Sequence, residues 1–92
     1  MSGRATVEQR ILAAFDPPTK ERVSIEILAR ARAWEPDAHV VLERLVIDGL
    51  VSSRELEVEG SSRPVRLYSI TDVGLRERRE QEADRRRRAM GE

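Results

Sequence analysis

The chain contains no cysteine and a single histidine, so a disulfide framework and a thiolate nucleophile are excluded, and a histidine-built metal site lacks ligands. Aromatic residues are nearly as scarce, with one Trp, one Tyr and one Phe in 92 residues to anchor a core. No apolar run approaches the ~20 residues that span a bilayer. The opening MSGRATVEQR lacks the apolar stretch of a signal peptide, so the expected location is cytoplasmic. Missing too are a glycine-rich phosphate loop and any scaffolded Ser-His-acid constellation. Neither an enzyme nor a cofactor is expected.

What is present suits one small domain. A hydrophobic fraction of 39% supports a globular fold. A core this thin gains stability from a second copy, and a homodimer is the expectation. The formal net charge of zero conceals a polarity: residues 1–60 carry 8 basic and 11 acidic side chains, whereas residues 61–92 carry 9 and 6.

Hydrophobic spacing and capping residues divide the chain. In TVEQRILAAF (6–15), Thr6 and Gln9 stand at capping-box spacing, and Val7, Ile11, Leu12 and Phe15 share one helical face. Asp16-Pro17-Pro18 ends that helix, because a proline disfavours helix in the residue before it and cannot extend the ladder. A minimal strand at Val23 and a cap at Ser24 precede a second helix, whose buried side is Ile27, Leu28 and Ala31. After the break at residues 34–36, Pro36 fits the first turn of a third helix, about 36–48, that packs Ala38, Val41, Leu42 and Leu45 and is capped by Gly49. Two alternating runs, LVSSRELEVE and RPVRLYSI, flank the small-residue GSS loop as a hairpin over about 50–70, with Tyr68 and Ile70 facing inward. Pro64 suits the start or edge of the second strand. Thr71-Asp72 then caps a last helix of about 15 residues.

This order predicts an α+β, mainly α fold: a winged helix, with a helix-turn-helix over about 24–49, a two-stranded β wing and a C-terminal helix. The winged-helix domain is expected over residues 1–75. Residues 76–92 are expected to form an Arg-rich helix that frays at its end.

Two stretches carry a family resemblance. LERLVIDGLV (42–51) and, after the wing, RPVRLYSITDVG (63–74) resemble the PadR family of bacterial winged-helix regulators, patterned as Leu-x-x-Leu-x-x-x-Gly-Leu-Val and then Arg-x-Tyr-x-Leu-Thr-x-x-Gly. The first half is shared with most winged-helix families, including those resembling MarR. The resemblance implies a homodimeric transcription factor with its third helix in the major groove of double-stranded DNA and its wing on the backbone; a repressor is the expected role.

On that reading the outer face of the third helix carries Asp37, His39, Val40, Glu43 and Arg44. Arg44 suits a guanine edge or a phosphate, His39 a base or phosphate, and Val40 a thymine methyl group. Asp37 and Glu43 would face the polyanion. On the wing, Arg63 and Arg66 suit phosphate contacts, with Arg54 on the facing strand as a further candidate. The alternative for these arginines is charge balance against Glu55, Glu57 and Glu59 across the hairpin.

A competing reading assigns the fold to protein recognition. Val40 and Ile47, seven residues apart, would form an exposed apolar stripe on the same helix face, so the domain could be an interaction module that binds no DNA. His39 could equally pack partly buried. Trp34, at the end of the second helix, is expected in the core or in dimer packing. The last helix has no sustained apolar seam, and Arg85, Arg86, Arg87 and Arg88 are either solvated or a salt-sensitive hold on DNA.

Overall fold

Thr6 opens the first helix as its spacing predicts. Its hydroxyl accepts from the Gln9 amide at 3.1 Å, and the Gln9 side chain accepts from the Thr6 amide at 3.0 Å, closing a capping box. The structure, a computed structural model, describes residues 5–90. In chain order α1 spans Val7–Ala13, α2 Ser24–Ala31, α3 Ala38–Ile47, β1 Val51–Leu56, β2 Val65–Ile70 and α4 Asp72–Ala89. Arg22 adds an isolated bridge to Tyr68, so the hairpin has a one-residue third strand, one residue before the expected Val23. The architecture is the α+β winged helix expected from the sequence.

Element ends differ from expectation in ways that local geometry explains. Val23, extended at φ −79° and ψ 160°, is the cap residue of α2, and Ser24 is already helical. Pro36 lies outside α3, because the Ala38 amide bonds to the Glu35 carbonyl at 3.0 Å in a tight turn that delays the helix to Ala38. The wing strands stop at Leu56 and restart at Val65, leaving Glu57, Glu59, Arg63 and Pro64 in the loop. The last helix is 18 residues long and crosses residues 75–76 without interruption.

The core draws on α1, α2, α3 and the sheet, with the partly buried Leu75 of α4 packed against it. Ile11, Leu12 and Phe15 meet Ile27 and Ala31 of α2, Ala38, Leu42 and Leu45 of α3, and Val51, Tyr68 and Ile70 of the sheet. Trp34 does not join them: it is 72% exposed, which corrects its expected place in the core. Arg32 ends α2 in the left-handed conformation (φ 52°), and the Ala33 amide reaches back to the Leu28 carbonyl at 2.9 Å. That reversal buries Ala33 and leaves Trp34 outside.

Two arginines tie α1 and α2 together at their C-terminal ends. Arg10 of α1 donates to the Arg32 carbonyl at 2.7 Å, while Arg30 of α2 donates to the carbonyls of Ala14 at 3.1 Å and Asp16 at 2.9 Å. Each helix therefore supplies a cation to the carbonyl end of the other, where unpaired acceptors and the helix dipole favour positive charge.

A second junction sets the wing on α3. Past Asp48 the chain turns through Gly49 at φ 83°, with the Gly49 amide on the Val46 carbonyl and the Leu50 amide on the Leu45 carbonyl, a Schellman ending. The Thr71 hydroxyl donates to the Gly49 carbonyl at 2.7 Å and accepts from the Gly74 amide at 3.0 Å, so one side chain caps α4 and fastens it to the corner. Gly74 is buried there. A Cβ on it would collide with the Leu50 carbonyl oxygen and stand 2.7 Å from Ile70 Cγ1.

Candidate nucleic-acid interface

With Ala38, Leu42 and Leu45 buried, the opposite face of α3 is free of the fold. His39, Val40, Arg44 and Ile47 are exposed there, Val40 at 63% and Ile47 at 81%. Asp37, also exposed, precedes the helix without capping it by its side chain. The exposure of His39 removes the packing alternative. Arg44 makes no ion pair among the described residues.

The hairpin register sorts the wing residues onto two faces. Val51 opposes Ile70, Ser53 opposes Tyr68 and Glu55 opposes Arg66, and since Val51, Tyr68 and Ile70 are buried, this is the face turned to the core and α3. Arg54 opposes Leu67 on the other face. Arg54 is therefore separated by the sheet from Arg66, and its guanidinium grips Glu21 with two bonds of 2.6 and 2.7 Å. That grip holds the Glu21 carboxyl below its ordinary pKa and raises that of Arg54.

Between α3 and the wing lies a polar cluster. The Tyr68 hydroxyl donates to Glu43 Oε2 at 2.5 Å. Arg66 stands 3.2 Å from Glu55 and 3.8 Å from Glu43, and His39 Nδ1 is 4.0 Å from Glu43. Burial, reinforced by the Glu43 carboxylate, pushes the Tyr68 hydroxyl up to about 12. The Arg66 pKa is raised, first by its bond to Glu55. Arg63 projects from the exposed loop before β2 and makes no ion pair among the described residues.

Of the residues singled out from the sequence, His39, Glu43 and Arg66 come together. Asp37, Val40 and Arg44 lie on or beside the same helix face, Arg63 stands apart on the loop, and Arg54 is on the far side of the sheet. Sequence reasoning missed Tyr68 as the residue that positions Glu43. Its only available signal was inward alternation on β2, which identifies a buried ring but not the partner of its hydroxyl. Arg22 was missed as well: it is 5% exposed, pairs with Glu26, and donates to the Asp16 carbonyl at 2.9 Å.

Among the described residues no three potential metal ligands converge, and no helix is long and apolar enough to cross a membrane. No family model matches the chain, and no curated protein matches it. Two solved structures are similar. Pex from Synechococcus sp. (strain PCC 7942) is 17% identical with a TM-score of 0.57, over 84% of this chain and 79% of that one. The transcriptional regulator PA4135 is 23% identical with a TM-score of 0.61, over 91% of this chain and 62% of that one. The chain thus spans less than two thirds of PA4135. At these identities the likeness establishes a shared fold.

Proposed function

We propose that the protein is a DNA-binding transcriptional regulator. The observation that carries this reading is the exposed outer face of α3, where Arg44 has no ion-pair partner among the described residues, with Arg66 of the wing on the same side of the sheet. In this reading α3 lies in the major groove, where Arg44 reads a guanine edge or holds a phosphate, and His39 and Val40 meet base edges. Arg63 and Arg66 contact the backbone. Arg54, bound to Glu21 on the opposite sheet face, has a structural role instead. The name of PA4135, a transcriptional regulator of the same fold, is in keeping with this assignment.

The finer features are part of the same proposal: a homodimer, which the PadR resemblance of residues 42–51 and 63–74 implies, acting as a repressor in the cytoplasm. The exposed ring of Trp34 suits packing against a second copy. Light scattering reports the dimer, and a change in emission of this sole tryptophan on dilution reports whether Trp34 lies in the interface.

The test of DNA binding is a titration against genomic duplexes, including the protein's own upstream region, at two salt concentrations. Arg44→Ala is expected to weaken specific binding by about 1–3 kcal/mol if it reads a base. Arg63→Ala is expected to weaken all sequences alike and to shallow the salt dependence by about one unit, and Arg66→Ala to weaken binding of the specific duplex. Undiminished affinity in all three variants would exclude this interface.

The exposure of Val40 and Ile47 favours one other reading, a protein-interaction module that binds no DNA. It predicts that Val40→Glu abolishes a protein complex while thermal stability is preserved.

A further inference from the structure

The cations of the interface are not equivalent. Among the described residues Arg44 and Arg63 have no ion-pair partner, whereas Arg66 already has two carboxylates, Glu55 at 3.2 Å and Glu43 at 3.8 Å. Both are held by the fold. Glu55 is the cross-strand partner of Arg66 in the hairpin register, and Glu43 is pinned by the Tyr68 hydroxyl at 2.5 Å. A pinned carboxylate loses little further side-chain entropy when it pairs, so it competes better than a freely rotating one. Yet the Arg66 side chain remains 47% exposed, open to an incoming anion.

We propose that Glu43 and Glu55 form an intramolecular clamp on the Arg66 guanidinium, which a DNA phosphate must displace, so that the clamp lowers the hold of the interface on non-specific duplex. This rests on the DNA-binding reading of the same face. A free arginine meets a phosphate oxygen and forms charge-assisted bonds at once. Arg66 must first leave Glu55, and the carboxylates stay behind as like charges facing the phosphate. Net affinity for random sequence, which comes almost wholly from phosphate contacts, is reduced accordingly. Only a duplex that docks α3 closely enough to hold a phosphate at Arg66 recovers that contact.

The clamp is tested by fluorescence anisotropy with a labelled random-sequence duplex over a salt series, using the full chain, Glu55→Gln, Glu43→Gln/Glu55→Gln, Arg66→Ala and Arg66→Ala/Glu55→Gln. Glu55→Gln is expected to bind about twofold to fivefold more tightly at low salt, the range of an exposed ion pair. The double glutamine variant is expected to bind tighter still, with a salt slope steeper by up to about one unit. The Glu55→Gln gain must shrink when Arg66 is alanine. An equal gain in the Arg66→Ala background overturns the clamp, since the carboxylates would then act only through net charge; so does an unchanged Glu55→Gln affinity in a parent chain that binds. Absence of binding by parent and double glutamine variant alike overturns the DNA reading and the clamp with it. Glutamine at 43 keeps an acceptor for Tyr68, and matched thermal unfolding of the variants excludes a folding defect as the cause.

Discussion

Tyr68 of β2 and Glu43 of α3, 25 residues apart in the chain, are joined by a 2.5 Å hydrogen bond from the phenol to the carboxylate. The bond couples the base of the wing to the middle of the helix beside it. Because Tyr68 also exchanges both backbone hydrogen bonds with Arg22, at 2.8 and 3.0 Å, the same residue links α3, the wing and the segment before α2.

Tyr68 is the only tyrosine, so ultraviolet absorbance of the phenolate reports it alone. Its midpoint is expected near 12 in the folded protein, above an ordinary value of 10.0. Glu43→Gln is expected to lower that midpoint, though not fully to 10, since burial is the larger cause. The fold favours the protonated phenol, so the associated stability is complete below pH 10 and declines as the pH rises toward 12. A midpoint unchanged by Glu43→Gln would show that the charge of the Glu43 carboxylate does not act on the phenol in solution.

Gly74→Ala is expected to destabilise the domain by about 1–3 kcal/mol, since the methyl group meets the Leu50 backbone, which cannot move aside as a flexible side chain would. For a domain of this size that is a fall in Tm of about 4–8 °C per kcal/mol. Thermal unfolding followed by circular dichroism measures it. An unchanged Tm would mean that α4 does not seat against the corner.

Arg32→Gly is expected to stabilise the protein by about 0.5–1 kcal/mol, because position 32 holds a left-handed conformation that costs an L-residue energy and glycine little. The contact from Arg10 is to the carbonyl of residue 32, so the substitution preserves it. Urea unfolding should show a higher midpoint with an unaltered m-value.

Stability should fall in acid through two identifiable pairs. The Arg54 guanidinium holds Glu21 below its ordinary value of 4.5, and Arg10 does the same to Glu35. A carboxyl whose folded pKa is depressed contributes stability that is present above pH 4.5 and is lost as the pH falls below it toward the folded value. Replacing Arg54 or Arg10 by methionine is expected to flatten this acid limb. Moderate salt should do so in part, because both acidic side chains are partly exposed. A limb indifferent to both substitutions would exclude these pairs as its cause.

Much of the fold was legible in residue spacing. Thr6 and Gln9 marked the first cap, Leu42 and Leu45 the buried face of α3, Gly49 its end, and the alternation of Tyr68 and Ile70 the inward face of β2. These are local signals, set by helical and strand periods that any stretch of chain obeys. Trp34 is outside the core, one of its two expected places, because the period of α2 ends at Ala31 and the left-handed turn at Arg32 reverses the chain before Trp34 can follow Ile27 inward. The site was less legible. Its helix and wing could be assigned, but the role of Glu43 could not, since that depends on a phenol brought in from β2.

The sequence by itself therefore determined the order of elements, the side of each that is buried, and the absence of cysteine chemistry. Tertiary structure alone decided which charges meet. Arg54 and Glu21 are 33 residues apart, and Arg66 lies between carboxylates from its own hairpin and from α3. Apolar burial follows a short period along the chain. An ion pair instead depends on distance through space, with a strength that falls as separation and solvent exposure grow, and chain folding sets both.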